Sequence, residues 1–211
     1  ICRQIANSTN AQLVLHLDHG ASYEQVIQCL RNGFTSVMID GSRLPLKENI
    51  RVTKEVTRAA HTVGVSVEAE LGAIGGTEDG MTAKANLVNV DDARCFLEEV
   101  TVEALAIGIG NAHGIYKSTP NLAFDRLEQV AALGGPALVL HGGSGIPDDM
   151  IRKAIVMGIR KINVATEVRL AFLEGFGLEV NSKDIYKAYQ SAQAHARKII
   201  SDKMSLFDTT K

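Results

Sequence analysis

The stretch Ala137-Leu-Val-Leu-His141-Gly-Gly-Ser-Gly145 decides the fold, because it joins a short apolar run directly to a polar, glycine-rich segment. An apolar run of this length is typical of a buried strand. Pro147, with two aspartates after it, is typical of the first turn of a helix. The stretch therefore predicts a β-strand that carries His141 at its carboxyl end and leads through a loop into an α-helix.

Two other histidines have the same placement. His19 follows the apolar run 13–18, and His113 follows the run 104–109 and a short connection. A glycine comes next in each of the three cases, at Gly20, Gly114 and Gly142. Three strand ends can bring their histidines to one point only if the strands are parallel. Three imidazoles with an open fourth position form a catalytic zinc site.

Apolar and amphipathic runs alternate along the whole chain. The predicted strands are the runs 13–18, 34–40, 65–71, 104–109, 136–141 and 160–164. The predicted helices are 22–32, 46–63, 91–100, 123–133 and 147–158, with 166–178 and 183–204 as closing helices. This repeated β-then-α order predicts an α/β fold with a parallel sheet. Residues 72–90 form the longest loop, which we expect to act as a lid.

The two architectures that suit this order are a (β/α)₈ TIM barrel and an open doubly wound sheet. Polar residues follow at least five of the six strands, and their convergence favours a ring. Phosphate sites of such barrels commonly follow strands 7 and 8, which matches the last two strands here. We therefore expect residues 1–211 to form one domain, an incomplete barrel with strands 3 to 8. On this view the first two βα units are lacking, and the open strand edges would favour aggregation.

Composition excludes several classes of protein. The formal net charge of −2 gives no basic field for nucleic acid. No apolar run approaches the length of a membrane span. The three cysteines are scattered and show no metal-binding spacing, which fits a reduced, cytoplasmic compartment.

Carboxylates also stand at predicted strand ends. Asp18, next to His19, is a natural general acid or base. Asp40 and Glu70 end the second and third strands, where they could orient ligands or form another metal position. Glu68 shares the strand face of Glu70 and could be an internal ion-pair partner instead.

The glycine-rich segment 142–145 precedes a helix, and such loops cradle phosphate through backbone N–H groups. Asn163 and Thr166 follow the adjacent strand and strengthen this prediction. His16 is expected to be a hydrogen-bonded buried residue rather than a ligand. A Schiff-base lysine is the rival chemistry, but no lysine ends a strand, and Lys161 begins one.

Six motifs resemble those of the class II, zinc-dependent ketose-bisphosphate aldolases. They cover the chain in order and are Leu15-His-Leu-Asp-His-Gly20, Val67-Glu-Ala-Glu-Leu-Gly72, Gly75-Gly-Thr-Glu-Asp-Gly80, Asn111-Ala-His-Gly114, Leu140-His-Gly-Gly-Ser-Gly145 and Lys161-Ile-Asn-Val-Ala-Thr-Glu167. The resemblance implies a (β/α)₈ barrel that assembles as a homodimer or homotetramer.

The resemblance also implies a role for each matched position. His19, His113 and His141 would bind the catalytic Zn²⁺, and Asp18 would move the proton at the substrate's C4 oxygen. Glu78 would move the proton on the triose carbon. A second divalent metal would use Asp40 and Glu70. The matched substrate-binding positions, with a monovalent cation nearby, are Gly114, Gly142, Gly143, Ser144, Asn163, Val164, Ala165 and Thr166.

The implied reaction is reversible cleavage of a fructose or tagatose 1,6-bisphosphate into dihydroxyacetone phosphate and glyceraldehyde 3-phosphate. Three alternatives stay open at this point. They are a related class II aldolase of inositol or amino-sugar catabolism, an inactive truncated phosphosugar-binding barrel, and a metal-dependent hydrolase that uses a zinc-bound water.

Overall fold

The computed structural model describes residues 1–78, 81–83 and 86–209. The strands are β1 (His16–Gly20), β2 (Ser36–Ile39), β3 (Ser66–Leu71), β4 (Gly75–Glu78), β5 (Met81–Ala83), β6 (Ala104–Ile107), β7 (Ala112–His113), β8 (Ala137–Leu140) and β9 (Ile159–Ile162). The α-helices are α1 (Cys2–Asn7), α2 (Tyr23–Arg31), α3 (Leu46–Thr62), α4 (Val90–Glu99), α5 (Phe124–Ala131), α6 (Asp148–Val156), α7 (Thr166–Glu179) and α8 (Ile185–Phe207). A 3₁₀ turn, Val180–Ser182, joins the last two helices.

Six of the strands form one sheet, in the order β1-β2-β3-β6-β8-β9, and every neighbouring pair is parallel. The order follows the chain without a reversal. A doubly wound sheet reverses at a switch point, so the singly wound order supports the barrel-like alternative. That two further βα units precede these six stays a prediction.

The sheet is curled. In a flat sheet of six strands the outer two would lie about 24 Å apart, at about 4.8 Å per spacing. Yet Asn163, which directly follows β9, donates a hydrogen bond of 3.1 Å to Asp18 of β1. The carboxyl ends of the two outer strands therefore face each other across a concave surface.

The two faces of the sheet have different compositions, because side chains alternate along each strand. The outer face carries apolar side chains such as Val37, Val67 and Leu105, which pack with the helices in the main core. The inner face carries a smaller apolar cluster of Met38, Ala106 and Val139. Glu68 and Glu70 alternate with the outward residues of β3, so buried carboxylates belong to the inside of the curl.

Two of the sequence-based expectations are wrong in their bounds. The first strand was expected at 13–18 but spans His16–Gly20, and Leu13 and Val14 are exposed despite being apolar. The expected loop 72–90 contains β4 and β5, which pair antiparallel, and β4 also pairs with β7. This second small sheet holds the backbone of His113 against Gly76.

Candidate active site

The structure brings the three strand-end histidines together at the mouth of the curl. The ring centroids lie 4.6 Å apart for His19 and His141, 5.0 Å for His19 and His113, and 5.9 Å for His113 and His141. One nitrogen from each ring can be chosen so that all three lie within 4.8 Å of one another. The three histidines therefore form a group that could hold a metal ion.

Neighbouring side chains on a regular strand point to opposite faces of the sheet, yet Asp18 and His19 both lie at this site. The local backbone geometry accounts for this. The pairing of β1 with β2 shifts register between Leu17 and Gly20. His19 has a φ of 44°, a left-handed conformation that is uncommon for residues other than glycine. Strained backbone of this kind is concentrated at functional sites.

Each of two histidines has one ring nitrogen held by a carboxylate. His19 Nδ1 lies 2.9 Å from Asp40 Oδ2, and His141 Nε2 lies 2.8 Å from Glu68 Oε1. Burial raises the pKa of Asp40, but hydrogen bonds from His19 and Ser42 bring it to about 2. Burial also raises the pKa of Glu68, but His141 and Lys161 bring it to about 2. Both carboxylates are thus ionised and only accept, so these two ring nitrogens carry the protons.

The remaining nitrogens of these two rings face each other. His19 Nε2 lies 2.9 Å from His141 Nδ1. Burial lowers the pKa of His19, yet the hydrogen bond to Asp40 and the charge of Glu70 raise it to about 9. Burial lowers the pKa of His141. A proton on His19 therefore bridges the two rings, and a divalent cation is the other species that can satisfy two lone pairs so placed.

A second group capable of holding a metal adjoins the first and shares His19 with it. It consists of His19, Asp40 and Glu70. Glu70 Oε2 is buried and makes no hydrogen bond within the described part of the chain, and it lies 3.9 Å from His19 Nδ1. Burial, reinforced by the negative charge of Asp40, raises the pKa of Glu70 to about 8. A pKa of about 8 leaves Glu70 protonated at neutral pH, and a bound cation would instead favour its charged form.

Beside the histidines lies a cavity of about 350 Å³. Of the predicted site positions, those lining it are Asp18, His113, Gly114, Gly142, Ser144, Asn163, Val164, Ala165 and Thr166. Gly143 is not among the lining residues, and its N–H donates to the Asn163 carbonyl at 2.8 Å. The side chain of Glu78 lies outside the described residues, although its backbone ends β4.

The start of α7 lines this cavity. The helix begins at Thr166, and Ala165 before it has no side chain that could cap the first turn. The N-terminus of a helix attracts anions through free N–H groups and the helix dipole. Glu167 donates its N–H to Ser144 Oγ, which ties this helix to the glycine-rich loop.

Two residues whose side chains join the loops of the site were not identified as functional candidates from the sequence. Buried Asn111 accepts from Ile109 N–H and donates to the His141 carbonyl at 2.9 Å. The Tyr116 hydroxyl accepts from Ala112 N–H at 2.8 Å and donates to the Gly142 carbonyl at 3.1 Å. Together they hold the loop of His113 against the loop of His141. A polar residue directly after a buried strand could have indicated Asn111, whereas no local signal indicates Tyr116.

Gly142→Ala tests how tightly these loops approach. A Cβ at Gly142 would lie 2.2 Å from the Ala112 carbonyl oxygen, and the residue has a φ of 63°. Gly134 is the matched control, because its φ is 73° and a Cβ there would meet nothing within 4 Å. Both substitutions carry the left-handed backbone cost of about 1–2 kcal/mol, but only Gly142→Ala adds a steric cost of about 1–3 kcal/mol.

The measurement is urea unfolding of the two variants beside the wild type. We expect Gly142→Ala to lose clearly more free energy of unfolding than Gly134→Ala. Equal losses would mean that the two loops do not approach as closely as the structure shows.

The family model described as "Fructose-bisphosphate aldolase class-II" matches residues 1–211. The chain belongs to the class II fructose-bisphosphate aldolase family.

Individual relatives carry more specific names. A fructose-bisphosphate aldolase of Streptococcus pyogenes is 44% identical over 201 residues, which are 94% of this chain and 64% of that protein. A 6-phospho-5-dehydro-2-deoxy-D-gluconate aldolase of Bacillus subtilis is 47% identical over 162 residues, 77% of this chain and 56% of that protein. The chain thus spans less than two thirds of the length of either relative.

Solved structures show the same fold. The crystal structure of the YdjI aldolase from Escherichia coli K12 superposes with a TM-score of 0.86 at 30% identity, over 98% of this chain and 73% of that one. A putative fructose-1,6-bisphosphate aldolase from Coccidioides immitis gives a TM-score of 0.90 at 26% identity, over 98% and 75% of the two chains.

Proposed function

We propose that this chain carries the active site of a zinc-dependent aldolase that cleaves and condenses a ketose 1,6-bisphosphate, fructose or tagatose. The observation that carries the proposal is the pair of imidazole nitrogens, His19 Nε2 and His141 Nδ1, that face each other at 2.9 Å while carboxylates hold their other nitrogens. This arrangement orients lone pairs toward a cation and is the usual support of a metal-binding histidine.

In this proposal His19, His113 and His141 hold the catalytic zinc. Asp40 and Glu70 hold a second divalent metal. When bound, the catalytic ion supplies Lewis-acid polarisation of the substrate's carbonyl oxygen. The chemistry of the donors fits, since imidazole suits zinc and carboxylate suits harder divalent ions.

Asp18 is the proposed acid–base group. Its carboxylate is held by Asn163 Nδ2, at 3.1 and 3.3 Å from its two oxygens, and its side chain is 44% exposed at the cavity. In the cleavage direction Asp18 takes the proton of the C4 hydroxyl as the C3–C4 bond breaks, and the aldehyde half leaves. Glu78 then delivers a proton to the carbon of the triose half.

The phosphate of the triose half is proposed to bind between the glycine-rich loop and the start of α7. Gly114, Gly142, Ser144 and the segment 163–166 line the cavity, and backbone N–H groups of a glycine-rich loop and a helix start are suited to bind phosphate. Gly143 supports this loop through its hydrogen bond to Asn163 rather than through contact with substrate. A monovalent cation is proposed near the same phosphate.

A second substrate deserves the same assay. The Bacillus subtilis relative is named for 6-phospho-5-dehydro-2-deoxy-D-gluconate. That substrate has its phosphate and keto group on adjacent carbons, as a ketose 1,6-bisphosphate has at its first two carbons. Both would leave the same dihydroxyacetone phosphate half, so they differ only in the aldehyde half.

The proposal extends to the domain organisation, the assembly and the compartment of the protein. We propose a single catalytic domain, assembled as a homodimer or homotetramer, in the cytoplasm. All three cysteines are free, as a reduced compartment favours. In the part of the chain that the structure describes, the helices are too short or too polar to span a bilayer.

Metal removal is the first test. We expect a chelator to abolish cleavage of fructose, tagatose and deoxygluconate substrates alike, and added Zn²⁺ to restore the activity. Because a hydrolase would also lose activity, the discriminating measurement uses dihydroxyacetone phosphate alone in D₂O. An aldolase exchanges the proton on the reacting carbon in a zinc-dependent way, which NMR detects. Hydrolysis of phosphate esters without any such exchange would overturn the proposal.

A further inference from the structure

Glu68 lies at the centre of a buried polar cluster on the inner face of the sheet. Its side chain is only 2% exposed. One oxygen, Oε1, lies 2.8 Å from His141 Nε2, and the other, Oε2, lies 2.9 Å from Lys161 Nζ. His16 Nε2 lies 3.7 Å from the same Oε2, while its Nδ1 meets Ser36 Oγ at 2.8 Å. The carboxylate thus connects β1, β3, β9 and the residue after β8.

Such a cluster does not stabilise the fold efficiently. Burying two charges costs desolvation free energy, and well-packed apolar residues of similar volume are often as stable or more stable. The ion pair between Glu68 and Lys161 therefore calls for a purpose other than stability. Its contact with His141 indicates that purpose.

We propose that Glu68 is a positioning residue that sets the tautomer of His141, and that Lys161 sets the orientation of Glu68. This inference rests on the proposed function, because it concerns how a proposed zinc ligand is prepared. An ionised carboxylate only accepts hydrogen bonds. Glu68 therefore requires the proton of His141 on Nε2, which leaves the lone pair on Nδ1, the nitrogen that faces His19 at 2.9 Å.

Lys161 fixes which atom of residue 68 faces β9. Its ammonium only donates hydrogen bonds, so the atom of residue 68 beside it must be an acceptor. In Glu68→Gln the amide oxygen would turn to Lys161 and the amide N–H₂ would turn to His141 Nε2. His141 would then have to accept at Nε2 and carry its proton on Nδ1. The lone pair proposed for zinc would be lost, although the size of the side chain is unchanged.

The tautomer can be measured without metal. Two-bond ¹H–¹⁵N NMR spectra of histidine rings distinguish protonation at Nε2 from protonation at Nδ1. In the metal-free wild type we expect His141 to be protonated at Nε2, and in Glu68→Gln at Nδ1. A zinc competition assay with a chromophoric chelator should show affinity falling about 10–100-fold in the variant, as for other residues that orient metal ligands.

A double variant separates positioning from simple structural damage. In Glu68→Gln with Lys161→Met no ammonium competes for the amide oxygen, so the oxygen can turn back to His141. We expect this second change to restore the Nε2 tautomer and part of the zinc affinity. Glu48→Gln is the matched control, since Glu48 pairs with Arg51 at 2.8 Å on the exposed surface of α3 and should affect neither readout.

A wild-type His141 protonated at Nδ1 would overturn the inference, even if Glu68→Gln did not fold. An unchanged tautomer and zinc affinity in a folded Glu68→Gln would overturn it as well. These outcomes are distinct from failure of the proposed function, which would appear as absence of zinc binding or aldol chemistry in the wild type while the metal-free tautomer is still as expected.

Discussion

Asp18→Asn should slow carbon–carbon cleavage by orders of magnitude while leaving the metal in place. The asparagine keeps the size of the side chain and can still contact Asn163, but it cannot take the proton of the C4 hydroxyl. Acid–base groups of this kind contribute about 10²–10⁴-fold to rate. We expect kcat to fall by that factor, with zinc content, measured by atomic absorption, unchanged at the wild-type level.

The control for Asp18→Asn is Asp149→Asn. Asp149 lies in the first turn of α6, away from the cavity. It should retain wild-type kcat and KM. If Asp18→Asn cleaved the substrate at near the wild-type rate, Asp18 would not be the acid–base group. If it lost zinc together with activity, Asp18 would act through the metal instead.

His113→Ala has the second large expected effect, since it removes a proposed ligand itself. Loss of a residue that merely orients a ligand costs about 10–100-fold in metal affinity, and we expect loss of the ligand to exceed that range. Zinc affinity and activity should fall together. Calorimetric titration of the metal-free protein with Zn²⁺ measures the first, and a coupled aldol-cleavage assay measures the second.

His61→Ala is the matched control for this prediction. His61 is an exposed histidine of α3 that pairs with Glu103 rather than with the site. It should bind zinc as the wild type does. A His113→Ala protein with undiminished zinc affinity and turnover would remove His113 from the proposed ligand set.

The order of elements in this fold was predictable because periodicity and strand-end residues act locally. The βα alternation, the parallel pairing and the helix starts near residues 23, 46 and 148 follow from apolar runs and from residues such as Ser22, whose side chain caps α2. The strand β4 was not predictable, because Gly75-Gly-Thr-Glu78 has no apolar alternation. Its pairing with β7 depends on residues far apart in the chain. Leu13 and Val14 were predicted to lie in a strand because they are apolar, but the strand begins only at His16. An apolar run does not by itself make a strand.

The site was predictable in its residue types but not in its internal geometry. Histidines after parallel strands must approach one another, so the group of His19, His113 and His141 follows from topology. The left-handed φ of His19 could not be predicted, because it depends on the register shift between β1 and β2. Nor could the sequence show that only one of Glu68 and Glu70, which lie two residues apart on the same strand face, would pair with a lysine. Lys161 reaches Glu68, whereas no ammonium pairs with Glu70 among the described residues, and their pKa values move in opposite directions.

Three imidazoles from distant parts of the chain are proposed to converge on one ion. The most direct measurement is a crystal of the protein grown with Zn²⁺, with anomalous diffraction recorded on both sides of the zinc absorption edge. We expect an anomalous peak about 2.0–2.1 Å from one nitrogen each of His19, His113 and His141. Zinc found elsewhere, or rings that share no ion in fully zinc-loaded protein, would contradict it.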